Sequence, residues 1–81
     1  MNEKNYLIQF DYGGNGHCIH VLSHFNFSGG NVGDKIWLAE TIENYIKTEG
    51  LHINGEIVSN VRLFGANGES IISLSDLAKI E

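Results

Sequence analysis

Only one long stretch of this sequence has helical periodicity, and strand-like segments flank it on both sides. Within residues 34–48, an advance of about 100° per residue places the large apolar side chains on a single stripe. The stripe consists of Leu38, Ala39, Ile42, Tyr45 and Ile46. Asp34 is expected to cap the first turn, and Gly50 stands where a left-handed glycine commonly ends a helix. The helix must bury this stripe against the neighbouring strands.

The segments before the helix alternate between apolar and polar residues, which predicts a β-hairpin over residues 6–12 and 17–27. A glycine-rich turn, residues 13–16, joins them. A four-residue loop would pair Tyr12 with His17, and Phe10 with Ile19. Both apolar sets then share one face of the hairpin.

A second hairpin is predicted after the helix, over residues 57–64 and 69–74. Val61 is expected opposite Ile72, and Arg62 opposite Ile71 on the reverse face. Asn54-Gly55 is a strong turn signal and favours a further short strand over residues 51–53. Ser75 is expected to cap a terminal helical turn over residues 76–80.

These elements predict a two-layer α+β fold of order ββαββ, with one helix across one face of an antiparallel sheet. The 81 residues are enough for one domain and one core. The reverse face of the sheet is left uncovered and is half apolar, which favours binding of a partner or of a second copy. Its expected members are Leu7, Gln9, Asp11, Cys18, His20, Leu22, His24, Val58, Asn60, Arg62 and Ile71. The alternative is an ordinary solvated sheet face.

Charge and composition narrow the classes of function. Ten acidic residues against five basic ones give a net charge of −5, and the basic residues are scattered, which argues against direct nucleic-acid binding. An acidic protein suits a partner with a basic surface. No apolar run approaches the ~18 residues of a membrane span. The single cysteine fits a reducing compartment, so a cytoplasmic location is expected.

His17, Cys18, His20 and His24 form the densest group of metal-ligand residue types. On a strand, only Cys18 and His20 share a face within about 7 Å, which is too few ligands for a structural zinc site. No metal or cofactor is therefore expected. A small metal-binding or thiol-dependent protein using Cys18 and His20 remains an alternative.

No catalytic constellation is recognisable in the sequence. The glycine-rich connector, residues 28–33, runs into the helix as phosphate-binding loops do, but it lacks the Gly-Lys-Ser/Thr ending of a P-loop. No catalytic residue is assigned, and the chain is expected to be non-enzymatic.

Trp37 points away from the apolar stripe, beside Glu40 and Asn44, and tryptophan is frequent at binding hot spots. The alternative is that Trp37 folds back under the connector and seals the edge of the core. Together with the uncovered sheet face, this gives a predicted set of partner-binding residues. The set is Trp37, Glu40, Glu43, Asn44, His20, Leu22 and Arg62.

The sequence thus favours a small acidic protein-binding module, an inhibitor or regulator that masks a basic surface of a larger protein or nucleoprotein. In size and charge, though in no motif, it is similar to phage-encoded inhibitors of host defence, including anti-CRISPR proteins. The alternative is a homodimeric structural or antitoxin-like subunit.

Overall fold

Four strands and one helix make up the described part of the chain. A computed structural model describes residues 3–27 and 29–79, the last four of them by backbone alone. The elements are β1 (Lys4–Tyr12), β2 (Asn15–Ser23), α1 (Val32–Thr48), β3 (Ile57–Phe64) and β4 (Ser70–Lys79). The strands form one antiparallel sheet in the order β2-β1-β3-β4. The predicted α+β class, with an antiparallel sheet and a single helix, is confirmed.

The core lies between α1 and one face of the sheet. Leu38, Ile42 and Ile46 of the predicted helical stripe are completely buried there. The sheet contributes Tyr6, Ile8, Phe10, Tyr12, Val58, Val61, Leu63 and Ile72. None of the helices in the described ranges is long and apolar enough to cross a bilayer.

Helix α1 begins two residues earlier than predicted, and Asn31, not Asp34, is its N-cap. The Asn31 side chain accepts a hydrogen bond from the Asp34 backbone N–H at 2.9 Å, and Asp34 in return accepts one from the Gly30 N–H at 2.8 Å. This reciprocal arrangement satisfies two backbone donors at once, which a cap at Asp34 alone would not. At the other end, Gly50 has φ +68° and Leu51 N–H bonds to Ile46 C=O at 2.9 Å, as predicted for a glycine-terminated helix.

The first hairpin turns over two residues rather than four. Gly13 and Gly14 have φ of +61° and +79°, the positive values that tight hairpin turns require. Tyr12 is therefore opposite Asn15 and Phe10 is opposite His17, two residues away from the predicted register. Because a shift of two preserves the alternation of side chains, both apolar sets still face the core.

The second hairpin is also shifted by two residues. Val61 lies opposite Leu74, and Arg62 opposite Ser73. Residues 51–53 form no strand, contrary to the prediction, because the Tyr12 hydroxyl bonds to both the N–H and the C=O of Ile53. Those backbone groups are satisfied without a neighbouring strand.

The predicted terminal helical turn is wrong for the residues described, since β4 continues to Lys79. Asp76 pairs with Ser59, and Lys79 with Ile57. An isolated single turn is costly to nucleate, whereas β3 offers backbone partners along the whole segment. Residue 80, the last in that prediction, lies outside the described ranges.

Val58 is buried in the core and does not lie on the uncovered face, contrary to the prediction, because β3 contains a bulge. Gln9 pairs with Arg62 but Asp11 pairs with Ser59, so β3 has one extra residue against β1. Asn60 occupies the bulge with φ +51°. The extra residue reverses the alternation, so Val58 and Val61 both face inward.

Candidate binding surface

Trp37 lies near the N-terminal end of α1, half-buried against the segment that follows β2. Its ring stacks on Phe25 with 5.9 Å between centroids and 27° between planes. It also meets Phe27 edge-to-face at 4.9 Å, and Phe27 contacts Tyr6 of the core at 4.9 Å. Trp37 therefore closes the core at this end, as the alternative interpretation expects, although its ring partners lie in residues 24–27 and not in the connector, residues 28–33. Its role in partner binding stays a prediction.

The outer face of α1 carries the other helical residues of the predicted set. Glu40 and Asn44 are exposed, and with Glu43 they line a shallow depression of about 270 Å³. Glu43 accepts a hydrogen bond from Lys47 at 2.7 Å, an i,i+4 pair that neutralises that carboxylate locally. Glu40 is the acidic group that this part of the helix presents most openly.

Cross-strand pairing arranges the uncovered sheet face in rows. His20 of β2 is opposite Leu7 of β1, and Leu7 is opposite Phe64 of β3. The next row consists of Cys18, Gln9, Arg62 and Ser73. Arg62 is exposed, and Leu22 at the end of β2 is 59% exposed, high for a leucine. The three predicted sheet residues therefore do share one surface.

A depression of about 400 Å³ lies on this face, beside the turn between β3 and β4. Leu7 and Phe64 supply apolar lining, and Gln9 and His20 supply polar groups. One wall is formed by Gly65, Ala66 and Gly68. An apolar recess with a few hydrogen-bonding groups at its margin is typical of binding sites. The predicted set omitted Phe64, although the alternation from Arg62 already places it on this side.

A hydrogen bond between Asp11 and Asn60 lies at the other end of the uncovered face. Asn60 Nδ2 donates to Asp11 Oδ2 at 2.8 Å, joining β1 to the bulge in β3. This hydrogen bond occupies one carboxylate oxygen of Asp11.

The histidines and the cysteine do not converge. His17 faces the helix side, where it stacks on Phe10 at 5.2 Å, whereas Cys18 and His20 are exposed on the sheet face. His24 lies 4.0 Å from Glu3 at the end of the sheet. Among the described residues, no three His, Cys, Asp or Glu side chains are placed to hold one metal ion.

The structure divides the predicted partner-binding residues between two surfaces. Trp37, Glu40, Glu43 and Asn44 belong to the helix, whereas His20, Leu22 and Arg62 lie on the opposite side of the sheet. One partner surface cannot contact both sets at once without wrapping around the domain. Comparison with known proteins found no matching family model, no similar curated protein and no similar solved structure.

Proposed function

We propose that this chain is a non-enzymatic protein-binding module that covers part of a larger partner with the uncovered face of its sheet. The observation that supports this most directly is the depression between β1, β2 and β3, with Leu7 and Phe64 as its apolar lining. The exposed Leu22 extends the apolar area beyond it. Arg62, Gln9 and His20 add hydrogen-bonding groups around it, the combination of apolar centre and polar margin found in protein interfaces.

The acidic charge favours a partner with a basic surface, which the module would mask as an inhibitor or regulator. Asp11 and Arg62 are charged residues on the sheet face, and they have opposite signs. The net charge of −5 therefore resides mainly elsewhere on the chain. Such a charge accelerates encounter with a basic partner, while the contact itself depends on apolar and hydrogen-bonding groups.

The outer face of α1 is the competing contact surface. Glu40 and Asn44 are exposed there, but Glu43 is paired with Lys47 and Trp37 is packed on Phe25. The helix thus offers fewer groups whose contacts are not already used within the chain.

Two matched variants separate the surfaces. Each replaces two exposed side chains by serine: Leu22→Ser with Arg62→Ser on the sheet, and Glu40→Ser with Asn44→Ser on the helix. Wild type and both variants are immobilised, exposed to lysate of the source cell, and compared by quantitative mass spectrometry. Circular dichroism establishes that all three are folded.

We expect proteins retained by wild type to fall at least about tenfold with the sheet variant and to remain with the helix variant, since losing about 1.4 kcal/mol of binding energy has that effect. The reverse pattern would move the interface to α1. If both variants retain every protein that wild type retains, the binding-module proposal fails.

A further inference from the structure

Strand β2 is an edge strand of the sheet, and its outward-facing backbone groups are open to pairing with another strand. Its two-residue turn makes Tyr12 and Asn15 a hydrogen-bonded pair, so the odd-numbered residues of β2 bond to β1. The N–H and C=O groups of Cys18, His20 and Leu22 therefore point outward. In the described parts of the chain, no hydrogen bond engages them. Such a row of unpaired groups is a template for another extended strand.

The other edge, β4, is protected in ways that β2 is not. Against β3, β4 carries two extra residues: one between the partners of Ile57 and Ser59, and one between those of Leu63 and Phe64. It also contains Asp76 and Lys79. Bulges and charges are the usual devices that prevent edge pairing. β2 has neither, because it pairs with β1 without irregularity over nine residues and contains no Asp, Glu, Lys or Arg.

The core beneath β2 is also incomplete. Ile19 and Val21 face the helix side but are only half-buried, whereas Ile8 on the adjacent strand is fully buried. Helix α1 approaches β4, at the far edge, more closely than any other strand. Ile19 and Val21 therefore keep apolar surface that side chains of a further strand would bury.

We infer that the occupant of this edge is β2 of a second copy, paired antiparallel about a two-fold axis at His20. The edge requires a neutral strand with apolar side chains at alternate positions, and β2 has this pattern itself. In this register Ile19 lies beside Val21 of the second copy on the core side, and Cys18 lies opposite Leu22 on the uncovered face. No like charges meet along the paired strands, although each chain carries −5.

The resulting dimer would have one continuous sheet of eight strands, twice the four in each chain. The uncovered faces of the two copies would adjoin, giving a larger contact surface than one chain has. The dimer does not depend on the proposed function, and it is tested with the purified protein alone.

The first test uses charge at the two-fold axis. Wild type is expected to sediment at twice its mass of 9.0 kDa at micromolar to millimolar concentration. His20→Lys and His20→Glu each place like charges opposite one another and should sediment as monomers, while an equimolar mixture should recover the dimer. The control, Ser73→Lys, puts the same charge on the same face away from β2 and should remain dimeric. Recovery by mixing excludes misfolding as the cause, and a wild-type monomer throughout this range would overturn the inference.

The second test fixes the register by disulfide trapping. Directly opposed residues of a hydrogen-bonded antiparallel pair lie about 5.5 Å apart at Cα, within the range that a disulfide spans. Cys18→Ser with His20→Cys should cross-link under mild oxidation, because the new thiol faces its own copy. Cys18→Ser with Leu22→Cys should not, because its thiol faces serine, whereas Leu22→Cys with native Cys18 should. This register would be contradicted if the variant Cys18→Ser with Leu22→Cys cross-linked more strongly than the other two variants.

Discussion

At the scale of single residues, the Tyr12 hydroxyl makes a polar contact that joins two distant parts of the chain. It accepts a hydrogen bond from Ile53 N–H at 2.7 Å and donates one to Ile53 C=O at 3.0 Å. The two residues are 41 positions apart, so one side chain ties the first hairpin to the segment after the helix. The ring itself is 2% exposed.

Tyr12→Phe is expected to lower the free energy of unfolding by about 1–3 kcal/mol, since Ile53 N–H loses its acceptor. The Ile53 C=O loses one of its two donors and keeps the other, Glu56 N–H at 3.1 Å. Chemical denaturation followed by Trp37 fluorescence measures the change. Tyr45→Phe is the matched control, because no hydrogen bond of the Tyr45 hydroxyl occurs within the described ranges, and it should be nearly neutral. Equal effects of the two substitutions would contradict the role given to Tyr12.

The surroundings of Trp37 could not be predicted from residue type and helical period. The helical period correctly places it off the buried stripe, but the period says nothing about residues 24–27, which leave the sheet and fold onto it. Phe25 and Phe27 fit an extended β2 just as well by alternation. The path of residues 24–27 decides whether an aromatic residue off the stripe is exposed for binding or packed against the edge of the core.

At the scale of elements, the bulge in β3 determines which side chains reach the core. Asn60 adopts φ +51°, a conformation that asparagine tolerates better than most residues and that β-branched residues strongly resist. Val58 and Val61 are both fully buried because of it.

The variants Asn60→Gly and Asn60→Val test this bulge. Both lose the hydrogen bond to Asp11, so that loss cancels when the two variants are compared. We expect the valine variant to be less stable than the glycine variant by at least about 1–2 kcal/mol in urea denaturation. Strand propensity gives the opposite order in a regular strand. Valine as stable as glycine would mean that residue 60 has ordinary strand geometry.

Register and alternation explain how far the elements could be predicted from sequence. Both hairpins were displaced by two residues, and because two is the period of a strand, Phe10, Arg62 and their neighbours kept their faces. A single inserted residue has no sequence signature as strong as the alternation of a strand. Alternation alone therefore predicts the wrong face for Val58. The sheet part of the candidate surface was thus predictable from alternation, whereas its Phe64-lined depression required the turn at residues 65–68 to be placed in space.

At the scale of the whole molecule, the two edge strands of the sheet differ in regularity and in charge. β4 is irregular and contains charged residues, while β2 is regular and neutral. The helix covers one face, and Ile19 and Val21 of β2 remain only half-buried on that face. This asymmetry concentrates the surface available for association on one edge and the adjoining uncovered face.

Amide hydrogen exchange along β2 measures this asymmetry directly. In the monomeric His20→Lys variant, the N–H groups of Ile19 and Val21 bond to β1 and should exchange about a hundredfold or more slowly than those of Cys18 and Leu22, which face outward. In dimeric wild type the alternation should disappear, because the outward amides acquire partners on the second copy. Strong protection of Cys18 and Leu22 in the monomer would show that another segment of the same chain covers β2, and the edge would then not be open to a second strand.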